Sequence, residues 1–168
     1  MLDKLRGGDL RSIGRSNEVV ADIKENPKLI GKIFPGLHDH DPVLKARVAD
    51  VIEKATRNKP ELLLIYKREI ISILKNEKQQ EVCWHIAQMI PRFKYTSEEE
   101  EVVFHALNNY LSHKSKIVRV SALEALADLA QKNKSIRKEV TNTIQFHTET
   151  GSPAVQVRGR KLLKRLKS

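Results

Sequence analysis

Asp41-Pro42-Val43-Leu44-Lys45-Ala46-Arg47 is the stretch that decides the fold, because its frame returns three times along the chain. It comes back as Glu77-Lys78-Gln79-Gln80-Glu81-Val82-Cys83, then as His113-Lys114-Ser115-Lys116-Ile117-Val118-Arg119, then as Ser152-Pro153-Ala154-Val155-Gln156-Val157-Arg158. The seventh position holds Arg47, Cys83, Arg119 and Arg158, at intervals of 36, 36 and 39 residues. The sixth holds Ala46, Val82, Val118 and Val157, small or β-branched each time. Four places beyond the seventh come Val51, Ala87, Leu123 and Leu162, all apolar. A period of this length marks one supersecondary unit used repeatedly, and such units bury their apolar faces only by stacking on neighbours.

Working outward from that frame, Pro, Gly, Asn and Ser punctuate the chain at even intervals. The segments between them carry apolar residues at helical spacings of three and four, and no stretch alternates with the period of a strand. Residues 1–15 are polar, broken by Gly7, Gly8 and Gly14, and read as a flexible or irregular N-terminus. Ser16 is an N-cap candidate ahead of Val19, Val20 and Ile23, giving a short capping helix over 16–25. Helix pairs are predicted over 27–58, 60–94, 96–133 and 134–168, within one domain spanning 16–168. Pro35 falls inside the first helix of the first pair and predicts a kink. Thr96 or Ser97 caps the third pair, and Glu98 to Glu101 suit the positive end of its dipole.

In this frame Asp41-Pro42-x-x-x-Ala46-Arg47 and Ser152-Pro153-x-x-x-Val157-Arg158 resemble the HEAT family of repeats, whose Asp-Pro turn precedes Val-Arg on the second helix. Val118-Arg119-Val120-Ser121-Ala122-Leu123-Glu124-Ala125-Leu126 is similar to that family's small-residue inner helix. The likeness covers about residues 27–168. The second repeat departs from it, with Cys83 for arginine and no Asp-Pro. The resemblance implies an all-α fold, an α-solenoid of about four helix pairs plus the N-terminal capping helix. It also implies a concave binding face lined by the second helices, and a column of Arg47, Cys83, Arg119 and Arg158 whose arginines support the turns.

Composition narrows the function. Thirty-one Lys and Arg against 21 Asp and Glu give a net charge of +10, which attracts nucleic acid, anionic membrane or acidic protein without choosing among them. The single cysteine, Cys83, excludes an internal disulfide and a thiolate zinc site. The N-terminus lacks a signal-peptide pattern and Leu62 to Tyr66 is far too short to span a bilayer, so the expected location is the cytoplasm.

The strongest charge signal is at the end. Residues 134–168 hold nine basic and two acidic side chains. Arg158, Arg160, Lys161, Lys164, Arg165 and Lys167 surround an apolar stripe of Val155, Leu162, Leu163 and Leu166, which is either a solubilising cap or a surface for an anionic partner. No aromatic residue lies among these cations, so nucleic-acid contact there would be through phosphates rather than stacked bases. Trp84 is either an inter-repeat contact or a partner anchor. His38-Asp39-His40-Asp41 is the one local histidine cluster, read as a solvated turn rather than a metal site. Phosphate loops, nucleophile elbows and metalloprotease motifs are absent. The expectation is a non-catalytic module without cofactor or metal, binding another protein through the concave face and unlikely to take a small molecule. The alternative is a nucleic-acid-binding protein acting through the basic last helix.

Overall fold

The helices that begin at Pro42 and Ser97 start on side-chain caps that the sequence supplies. The Asp41 carboxylate accepts from the Val43 amide at 2.9 Å, and Pro42 occupies the first helical position, where its missing N–H costs nothing. Thr96 forms a full capping box: its hydroxyl accepts from the Glu99 amide at 3.3 Å while the Glu99 carboxylate accepts from the Thr96 amide at 3.0 Å. The computed structural model, which describes residues 1–167, is all-helical, with no strand among the described residues. No described helix is long and apolar enough to cross a membrane.

The chain divides into two compact units, one spanning Met1–Met89 and the other beginning at Ile90. The first unit contains α1 (Ser16–Glu25), α2 (Ile30–Ile33), α3 (Pro42–Thr56), α4 (Lys67–Asn76) and α5 (Gln80–Met89). Its centre is α3, which packs against both α1 and α5. Val19, Ile23, Leu44, Val48, Val51, Ile52, Val82 and Ile86 are fully buried there, and each such aliphatic side chain contributes about 1.5–3 kcal/mol through removal from water. The expected kink at Pro35 is a sharper break: α2 stops at Ile33 and a 3-10 segment runs over Phe34–His38, because proline has no amide for the α-helical ladder. The first half of the next expected helix is likewise 3-10, over Pro60–Tyr66, before α4 takes over. Tyr66 stacks on Phe34 with ring centres 3.8 Å apart and fixes this junction.

The N-terminal segment has no regular structure beyond a 3-10 turn at Leu2–Leu5, yet it is tied down. Gly7, Gly8 and Gly14 all take positive φ, the region only glycine enters freely. Those turns wrap the segment around the end of the Arg47 side chain.

The second unit contains α6 (Ser97–Tyr110), α7 (Lys116–Lys132), α8 (Arg137–Thr150) and α9 (Pro153–Lys167). Helix α7 is its hub, buried along Val118, Ala122, Leu123, Ala125, Leu126 and Leu129 and packed on α6, α8 and α9. The alanines let neighbours come close. Helices α8 and α9 approach at Gly159, where a Cβ would fall 1.9 Å from Thr148 Oγ1.

Candidate functional site

The four column residues have different partners. Arg47 is 5% exposed and forms no ion pair among the described residues. Its guanidinium donates instead to backbone carbonyls of the N-terminal segment: Leu5 at 2.9 Å, Gly7 at 2.6 Å, Ser12 at 3.0 Å, and more loosely Asp9 and Arg6 at 3.3 and 3.4 Å. Arg119 reaches back to its own turn, donating to the His113 carbonyl at 2.7 Å. Cys83 reaches the matching carbonyl six residues back, Glu77, at 3.5 Å. Arg158 instead forms an ion pair with Glu124 on α7 at 2.7 Å.

That last pair splits the basic helix into two faces. Arg158 and Arg165 lie seven residues apart on α9, and Glu124 and Asp128 lie four apart on α7. Both separations keep residues on one helical face, and the second rung is Arg165 on Asp128 at 2.6 Å. The other four cations, Arg160, Lys161, Lys164 and Lys167, are exposed and share an arc of about 120° with exposed Val157 at 100° per residue. Among the described residues none of these four has a hydrogen-bond or ion-pair partner. Val155, Leu162 and Leu166 are buried beneath them, with Leu163 half-buried. Counting charges along the chain could not separate the two faces, because the separation is made by α7.

A second feature lies in the first unit, where α3 and α5 face one another. A pocket of about 120 Å³ is lined by Ala46, Arg47 and Asp50 from α3, Glu81, Trp84 and His85 from α5, and Leu10, Ser12 and Ile13 from the N-terminal segment. Ala46 and Asp50, and likewise Glu81 and His85, are four apart and so lie on the facing stripes. Trp84 and His85 are neighbours in sequence, yet both reach this pocket, with ring centres 5.1 Å apart. Burial pushes the His85 pKa down, and the nearby Asp50 charge opposes that only in part. Asp50 also accepts from Lys54 at 2.8 Å.

The histidine-rich turn is taken up structurally. His38 pairs with Glu69, and Asp39 pairs with Arg6 at 2.8 Å, which holds the Asp39 carboxyl below its ordinary pKa. Asp41 is the α3 cap. No three His, Cys, Asp or Glu side chains converge as a metal site among the described residues.

Comparison of the chain with protein-family models, with curated proteins and with solved structures found no match.

Proposed function

We propose that this chain is a non-catalytic, HEAT-like binding module whose α9 lies along the phosphate backbone of a nucleic acid. The observation that carries this reading is the division of α9: two arginines are spent on α7, while Arg160, Lys161, Lys164 and Lys167 stand together in solvent without partners among the described residues. Like charges collected on one exposed face repel one another, and a row of phosphates relieves that repulsion while releasing condensed counterions. The recurrence at intervals of 36, 36 and 39 residues and the packed helices within each unit support the solenoid part of the proposal.

Fluorescence anisotropy with labelled duplex across a salt series tests it. Four phosphate contacts give a slope of log K against log salt of about −3.6. Replacing Arg160 and Lys164 by Gln brings the slope to about −1.8, whereas R158Q with R165Q leaves it unchanged. A flat salt dependence, or equal losses from both pairs of substitutions, overturns the reading.

A second reading, a protein partner seated on the concave face of the second helices, is favoured by the pocket beside half-buried Trp84, an aromatic anchor of the kind that dominates protein interfaces. Binding to a stoichiometric protein partner that is lost on Trp84→Ala and indifferent to α9 supports that second reading over the first.

A further inference from the structure

The pocket between α3, α5 and the N-terminal segment has a chemistry of its own, separate from α9. Its walls are apolar at the rim, where Leu10 and Ile13 are about half exposed and Trp84 stands beside them. Its base is rich in acceptors. His85 Nδ1 lies 3.3 Å from the Gln88 side-chain oxygen, and in the tautomer that donates to it Nε2 of the neutral ring is an acceptor. Nε2 in turn sits 3.7 Å from Asp50 Oδ1, beyond hydrogen-bond reach. The Glu81 carboxylate, whose one described polar contact is the neutral Gln80 amide at 2.9 Å, adds a third acceptor from the same helix face.

The nearby cations do not fill this need. Lys54 is bound to the other oxygen of Asp50, and the Arg47 guanidinium is closed in by the carbonyls of residues 5–12. The pocket thus offers an aromatic wall, an apolar collar and several acceptors, while the one donor fork in its lining, Arg47, is directed to the backbone carbonyls of the N-terminal segment.

We infer that this pocket is a receptor for a single alkyl-guanidinium group, with the alkyl stem against Leu10, Ile13 and Trp84 and the planar head donating to Asp50, Glu81 and His85. A guanidinium supplies five donors in one plane and stacks on indole, which an ammonium does not. About 120 Å³ accommodates the end of one side chain, so the group arrives either as a small molecule or as one exposed arginine of a partner.

Trp84 is the only tryptophan in the chain, so its fluorescence reports on this pocket alone. The test is a titration of the full chain with n-butylguanidinium, and in parallel with n-butylurea, which has nearly the same shape and no charge. The expected result is a saturable change in Trp84 emission with the guanidinium and none with the urea. Glu81→Gln and Asp50→Asn, which keep size and shape, each weaken the affinity by about tenfold or more, the weight of one charged hydrogen bond. Far-UV circular dichroism confirms that both variants stay folded. Equal responses to the two probes, a response linear in concentration, or unchanged affinity in both variants overturns the assignment. A short arginine peptide compared with its citrulline counterpart identifies the source: tighter binding of the arginine peptide than of n-butylguanidinium marks a partner's side chain, and equal binding marks a small molecule. The experiment contains no nucleic acid, so its failure leaves the α9 reading untouched.

Discussion

Replacing Arg47 by methionine removes the clasp that holds the N-terminal segment while keeping most of the side-chain stem. Three of the guanidinium contacts, to Gly7, Leu5 and Ser12, are 2.6–3.0 Å long. Hydrogen bonds to a charged group are worth about 1.5–3 kcal/mol each, so the gross contribution is about 4.5–9 kcal/mol. Burying the guanidinium costs several kcal/mol in desolvation, and Arg47→Met recovers that cost because no charge is left behind. The freed carbonyls also regain water once residues 5–14 swing away. The net loss expected is therefore about 2–4 kcal/mol, capped by the free energy of releasing the segment. Urea denaturation followed at Trp84 measures it as a lower midpoint. Limited trypsin digestion gives the local signature, because Arg6, Arg11 and Arg15 all lie in or beside the released segment, and cleavage there accelerates at least about tenfold if opening becomes 1.4 kcal/mol easier. Arg47→Lys, with one ammonium in place of a fork, falls between the two. A methionine variant within about 0.5 kcal/mol of the parent, the range of an ordinary surface substitution, with unchanged cleavage refutes the clasp.

Other consequences follow from single contacts. Gly159→Ala drives a methyl into Thr148 and destabilises the second unit by about 1–3 kcal/mol, and Thr148→Ala on the same background restores part of the loss in urea denaturation. Glu18, flanked by Arg15 and Lys4, has its pKa lowered to about 2; its contribution to stability is present above about pH 4.3 and fades as pH falls toward 2, and an NMR titration of the Glu18 side chain that gives an ordinary midpoint contradicts the pairing. His85 works in the same direction at higher pH. Burial lowers its folded pKa, so its stabilising share is complete above about pH 6.5 and declines below it, as the unfolded chain takes up the proton first. His85→Asn flattens the slope of stability against pH between 7 and 5, and an unchanged slope rules out a buried neutral imidazole.

Local order was legible in the sequence because its causes are local. The Asp41-Pro42 start of α3, the Thr96 start of α6 and the buried stripe of α9 all rest on caps and spacings within one or two turns. The clasp on Arg47 was not legible, since its acceptors are backbone carbonyls 35–42 residues away and any residue type supplies those. The six cations of the last helix read as one surface until Glu124 and Asp128 took two of them. The pocket escaped for another reason. Trp84 and His85 point about 100° apart on their helix, which argues against a shared face, yet a wall made by a second helix is wide enough to meet both.

The clasp also imposes an order of events on the first unit. The carbonyls of residues 5–12 gain their donor only when the arginine of α3 is in place, and the loop that must close to bring them together spans some forty residues. Closing such a loop is entropically costly until other contacts have shortened it. Residues 5–14, with the pocket rim they carry, are therefore latecomers: α1, α3 and α5 assemble first, and the ligand-facing wall settles on them as the last step.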